Sequence, residues 1–222
     1  FYDVNIERLL AKKPTLVFAL KENFRSIEAL RRMGVPVIEV DHSSRAGIRA
    51  SLMTVASVCG VKESANKRLQ EYDRDEQLIL SRCEISRKAL SAKPARVMVV
   101  VGRTREGSST SGVYVSGRDG FYSELLQMLG AENVNPRGTV AVPSLSAEGI
   151  MSLGADTVIE IVNVDDGKSS ENLLSFWRSF PKLPAVKNNR VFLIDDDYAS
   201  IPGPRYIQVL RLFAGWVCQP SP

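Results

Sequence analysis

The chain has 222 residues, 44% of them hydrophobic and 24% charged, with a formal net charge of +4. That length can bury one large core or two small ones, and without a run of about 18 apolar residues it carries no membrane-spanning helix. Lys and Arg are spread along the chain and no nucleic-acid motif is present, so the charge describes a solvated surface rather than a nucleic-acid binder.

Residues 3–13 read as a helix, with Ile6, Leu9 and Leu10 at helical spacing and Pro14 as the stop. Residues 15–20 are a short apolar run, hence a buried strand. Residues 22–33 place Phe24, Ile27, Leu30 and Met33 on one helical face, and Gly34 ends the helix. Residues 35–40 form the next strand and 46–58 the next helix, closed by Gly60. This alternation predicts parallel strands with helical crossovers. Residues 63–92 contain neither Gly nor Pro, and Ala65, Leu69, Tyr72, Ile79, Cys83 and Leu90 recur near helical spacing. They predict one helix of about 45 Å at 1.5 Å per residue, far above the mean length, ended by Lys93-Pro94. A second α/β pattern follows, with strands at 96–101, 157–162 and 190–194. Its helices fall at 120–129, 146–153 (Ser146 as N-cap), 170–180 and 204–217.

The predicted fold is therefore α/β, with two Rossmann-like lobes joined by a single long helix: an N-terminal lobe over 1–62, the bridging helix over 63–92 and a C-terminal lobe over 93–222. The first lobe shows only two strands and is expected to be truncated at its N-terminus. Residues 1–5 lack the basic start and apolar segment of a signal peptide. Cys59, Cys83 and Cys218 make no metal pattern, and an odd count leaves at least one free thiol. Cys83 lies about 30 Å along the predicted helix, too far to pair with Cys59, and cysteine usage does not decide the compartment.

Ligands in open parallel sheets bind beyond the carboxyl ends of the strands. That rule selects residues 21–23 and 41–45 in the first lobe, and 102–105, 163–165 and 196–198 in the second. Arg103 and Arg105 follow a strand directly and are expected to reach the ligand, since a guanidinium binds carboxylate or catecholate-type oxygens through two hydrogen bonds. Arg118, ahead of a helix N-terminus, shares that logic. Tyr114 and Tyr198 could stack on a flat chelate, and His42 and Arg45 could contact it from the first lobe. Plain solvated or core roles compete at each of these positions. Few acidic residues balance the arginines locally, so the ligand is expected to be anionic or rich in oxygen. Trp177 and Trp216 read as packing.

Several short motifs occur in a fixed order. They are Asn5-Ile6-Glu7-Arg8-Leu9-Leu10 followed by Lys13-Pro14-Thr15-Leu16-Val17, Gly34-Val35-Pro36-Val37, Leu129-Gly130-Ala131-Glu132-Asn133-Val134, Ser146-Ala147-Glu148, residues 185–191 and Gly203-Pro204-Arg205. Together they resemble the helical-backbone class of periplasmic binding proteins, which serve importers of ferric siderophores, haem and vitamin B12. The resemblance implies an extracytoplasmic protein that captures a metal chelate in an interlobe cleft, a ferric siderophore first and haem or cobalamin as alternatives. It implies delivery to an ABC importer permease, with membrane attachment only through the permease or a lipid anchor outside this chain. It further implies a monomer with no catalytic activity and no cofactor of its own. One acidic residue per lobe would dock on the permease: Glu148 in the second lobe, and Glu22 or Glu28 in the first. The sequence departs from the family pattern in lacking its opening strand and helix, and the His or paired Tyr ligands of some haem binders. A two-lobed enzyme such as a glycosyltransferase is the rival class, but no G-x-G-x-x-G, P-loop or G-x-S-x-G is present. A family member acting as a sensor or scaffold is a further alternative.

Overall fold

Asn5 starts the first helix: its side chain accepts the Arg8 N–H at 2.9 Å and opens α1 (Ile6–Ala11). The computed structural model describes residues 4–90, 93–106, 109–135, 142–162 and 170–219. The chain forms two units, Phe1–Gln70 and Glu71–Pro222.

In the first unit, β1 (Val17–Leu20) and β2 (Val37–Val40) pair in parallel, from Val17 opposite Val37 to Leu20 opposite Val40. A short 3-10 turn (Lys21–Asn23) and α2 (Phe24–Arg32) make the crossover. α2 buries Ile27 and Leu30, whereas Phe24 and Met33 are 59% and 58% exposed. The expected four-residue face is corrected by geometry. Each three-residue step falls about 60° short of a full turn at 3.6 residues per turn, so the outer members of the series rotate off the buried side. α3 (Arg45–Val58) is capped by the Ser44 side chain, which accepts the Gly47 N–H at 3.1 Å.

α4 (Lys62–Leu90) runs unbroken for 29 residues. Residues 91–92 of the expected helix lie outside the described residues. The division between the units falls within α4, after Gln70.

The rest of α4 is fastened to its own unit at several levels. Tyr206 donates its hydroxyl to Glu76 at 2.6 Å and meets Tyr72 edge-on. Arg211 pairs with Asp75, and Cys83 is disulfide-bonded to Cys218, with Cα atoms 5.1 Å apart. Cys59 is the free, exposed thiol. Near the end of α4, the Arg87 guanidinium donates to the Leu129 carbonyl at 3.3 Å. It lies so close to Gly130 that a Cβ there would be 1.6 Å from it, and Gly130 has φ +69°.

The second unit holds a mixed sheet: β3 (Arg96–Glu106), β4 (Ser109–Val115), β5 (Glu132–Asn133), β6 (Ser144–Leu145), β7 (Thr157–Ile161) and β8 (Val191–Ile194). The order is β6-β4-β3-β7-β8, with β5 also alongside β3. β3, β5, β7 and β8 are parallel, β4 runs against β3, and β6 runs against β4. The helices are α5 (Phe121–Met128), α6 (Ala147–Leu153), α7 (Ser170–Arg178), α8 (Pro184–Lys187), α9 (Asp197–Ser200) and α10 (Tyr206–Val217). Met98, Val100, Val113, Val158, Ile150 and Trp177 lie in one core. Trp216, also expected to pack, stacks on Phe192 with ring centres 4.7 Å apart.

The main departure from the sequence expectation is β3. The strand predicted over 96–101 continues to Glu106 and returns as β4, so residues 102–105 are strand rather than loop.

Candidate functional site

In the first unit the register of β1 and β2 brings their carboxyl ends side by side. The Lys21 ammonium lies 2.6 Å from an Asp41 oxygen, and the other Asp41 oxygen accepts the Ser43 hydroxyl at 2.6 Å and the Ser43 N–H at 2.8 Å. The hydrogen bonds from Lys21 and then Ser43 hold the Asp41 carboxyl at about 2. The turn sits tightly on α3: a Cβ on Gly47 would come 2.8 Å from the Asp41 carbonyl oxygen. His42 and Arg45 are half-buried on this same turn, and both make further interactions. Glu22 and Glu28 are exposed, on the 3-10 turn and on α2.

In the second unit, Arg103 lies within β3 rather than in a loop after it, and its side chain is not at the surface. It is 5% exposed and ion-paired with Glu160 of β7, itself 3% exposed. Its guanidinium lies 4.1 Å over the Phe176 ring. The expectation of a ligand-facing Arg103 is corrected: a strand continues where a loop was predicted, and a buried acid waits on the neighbouring strand. Glu160 itself was missed. The signal was there, because a lone carboxylate in the apolar run Thr157-Val158-Ile159-Glu160-Ile161 requires a buried partner.

The Arg105 side chain and residues 163–165 lie outside the described residues.

Arg118 donates to the Asn133 carbonyl at 2.8 Å and pairs with Glu132 at 2.6 Å. Those residues are the strand partners of Val97 and Arg96, at the start of β3. Six residues separate Val97 from Arg103, about 20 Å along the strand, so the two arginines do not form one cluster. β4 reverses the chain direction, which carries the segment before α5 back down the sheet. The expected excess of positive charge is thereby corrected for both arginines, each neutralised by a glutamate distant in sequence. Arg118, Gln127, Ala131, Glu132 and Asn133 line a cavity of about 160 Å³, below the ~300–1,000 Å³ of pockets for drug-sized ligands.

Tyr114 is half-buried on β4, opposite Gly102. Tyr198, half-buried on α9 just beyond β8, donates its hydroxyl to Asp196 at 2.9 Å. Burial and that hydrogen bond push its pKa up to about 12, so the phenol stays protonated. Arg205 grips Asp197 through two hydrogen bonds of 2.8 and 3.1 Å, bracing this turn. Ser146 caps α6 by accepting the Gly149 N–H at 3.2 Å, leaving Glu148 exposed in its first turn. Among the described residues, no group of three or more His, Cys, Asp and Glu could hold a metal ion.

The pattern of one protein family, described as periplasmic binding protein, matches residues 2–198. The chain belongs to the periplasmic binding protein family. A vitamin B12-binding protein of Pectobacterium atrosepticum is 27% identical over 219 residues, covering 97% of this chain and 70% of the relative. An uncharacterized ABC transporter substrate-binding lipoprotein of Bacillus subtilis is 25% identical over 211 residues, 93% of this chain and 62% of the relative. The crystal structure of a periplasmic haem-binding protein from Pseudomonas aeruginosa superposes with a TM-score of 0.79 at 16% identity, covering 97% of this chain and 76% of that one. At that identity the likeness concerns the fold alone, an α/β architecture of two lobes and a long helix. Both sequence relatives are named as binding proteins, one for vitamin B12 and one for the substrate of an ABC transporter.

Proposed function

We propose that the protein is the extracytoplasmic binding component of an ABC importer, capturing a metal chelate and handing it to the permease. The observation that carries this reading is the match to a vitamin B12-binding protein along 97% of the chain. Cobalamin is the first candidate ligand. The preference for an anionic ferric siderophore rested on uncompensated arginines, and Glu160 and Glu132 compensate two of them.

In each unit the carboxyl ends of the parallel strands supply the groups that would meet a chelate. Tyr198 does so just beyond β8 in the second unit, joined by Tyr114 from antiparallel β4, with Arg105 retained as a charged contact, and His42 and Arg45 do so in the first. A tyrosine offers a flat apolar face with one polar edge, which suits a macrocycle. Glu148 would dock on the permease from the second unit, and Glu22 or Glu28 from the first.

The test is calorimetric titration of the purified protein with cobalamin, haem and a ferric hydroxamate siderophore, with visible spectra of each mixture. Cobalamin is expected to bind with one site per chain. Binding of the siderophore alone would move the ligand to the second reading, and binding of none of the three would overturn the proposal.

A further inference from the structure

β7 is buried along its whole length, and its fourth residue is a carboxylate. Such a group persists inside a protein only with partners. Glu160 has two, from different elements: the Arg103 guanidinium from β3, and the Trp177 indole N–H of α7 at 2.8 Å. The guanidinium carbon lies over Phe176, 4.1 Å from the ring centre, and 5.3 Å from that of Trp177. Arg103 thus ties β3, β7 and α7 together at one point.

That point lies where β3 parts from β7. Val100, opposite Glu160, is the last β3 residue in the β7 register. β3 pairs with β4 from Val100 onward, opposite Val115, with a register shift between Val100 and Gly102. Arg103 therefore reaches back from the overhanging hairpin to the sheet. Across the hairpin, Gly102 is opposite Tyr114 and Arg103 is opposite Val113. Successive strand residues face opposite sides, so Tyr114 stands on the face away from the Arg103 strut. A Cβ on Gly102 would lie 3.9 Å from the Tyr114 ring, so the two positions are neighbours on that face.

We infer that Glu160 is a positioning residue for ligand binding. Acting through Arg103, it fixes the overhanging hairpin, and with it Tyr114, without touching the ligand. The inference rests on the proposed function. Stability alone is a weak reason for a buried ion pair, because well-packed neutral replacements are often at least as stable. What the pair adds is direction, and a fixed wall lowers the ordering cost of binding.

The test uses the full chain carrying Arg103→Met with Glu160→Gln, which removes both charges and keeps an acceptor for the Trp177 N–H. Three quantities are compared with the parent: the thermal midpoint, the affinity for cobalamin, and amide exchange at residues 100–104 and 112–115, free and bound. The expected result is a near-parent midpoint and an affinity at least about tenfold weaker. Exchange in those two segments should be faster in the free protein, and protection should return on binding. Phe176→Leu, which removes the ring under the guanidinium but keeps both charges, is expected to give the same pattern at smaller amplitude. Parent-like affinity in both variants would overturn the inference alone, as would exchange raised evenly across β7 and β8, which marks a merely structural role. A parent protein that binds none of the three chelates overturns the functional reading, and this inference with it.

Discussion

Removing the Cys83–Cys218 disulfide, through Cys83→Ala with Cys218→Ala, tests how the second unit is held together. The bond closes a loop spanning 135 residues. The chain-entropy relation gives a denatured-state penalty of about 5 kcal/mol for a loop of that length. Native contacts that persist without the bond reduce the expected loss to about 2–5 kcal/mol, the usual range on removing a native disulfide. The structure argues for a value well inside that range. Both cysteines are buried, at 4% and 6% exposure, and α4 keeps its other ties to α10 through Glu76, Asp75 and Tyr72. For a unit of this size each kcal/mol shifts the midpoint by roughly 2–4 °C, so the double variant should melt about 5–15 °C below the parent. Circular dichroism melts with and without reductant make the assay. Reductant should lower the parent midpoint towards that of the variant and leave the variant unchanged. Thiol titration of the denatured, unreduced parent should find one thiol, that of Cys59. Three titratable thiols, or a variant that melts with the parent, would refute the reasoning.

Gly130→Ala should cost about 1–3 kcal/mol, because φ +69° is strained for alanine and the Arg87 guanidinium occupies the space of the new Cβ. Gly34→Ala, at φ +78° with nothing within 4 Å, should cost less in the same urea titrations. The Asp41 carboxyl is depressed from 3.8 to about 2, so its contribution is present above its unfolded value and disappears as pH falls through about 2. Asp41→Asn should flatten the urea midpoint of the parent between those pH values, and an unchanged slope would remove Asp41 from the acid response. Glu148→Arg should leave chelate affinity unaltered and slow association with the permease, most strongly at low salt, in vesicle transport assays.

The elements legible in the sequence are those set by local periodicity. α4 could be read because 29 residues without a breaker leave few alternatives. β1, β2, β7 and β8 could be read because short apolar runs between turn signals have one economical use. The β3–β4 hairpin was hidden by its composition. Residues 102–112 are mostly Gly, Ser, Thr and Arg, which reads as loop, and the strand character of 102–106 and 109–112 comes from pairing across the hairpin rather than from propensity. α2 shows the opposite case, in which a regular i+3 series suggested a wider buried face than the helix possesses.

The same distinction governs the candidate site. The rule of strand ends placed Asp41 and Tyr198 beyond β2 and β8, where they lie, whereas Arg103 is inside β3. It could not assign their partners, which lie at separations of 57 residues for Arg103, 20 for Asp41 and 2 for Tyr198. Counting charges within each loop therefore overstated what faces a ligand. Glu160 is remote in sequence from Arg103, yet opposite Val100 in the sheet. An arginine at a strand end is drawn inward when the adjacent strand carries a buried acid, since an unpaired carboxylate there costs several kcal/mol. In the proposed site Arg103 therefore serves support rather than recognition. That leaves Tyr114, on the other face of the same hairpin, as the better group for a ligand: aromatic, half-buried and held from behind. That exchange of a charged contact for an aromatic one is why cobalamin, rather than an anionic siderophore, is the first ligand to try.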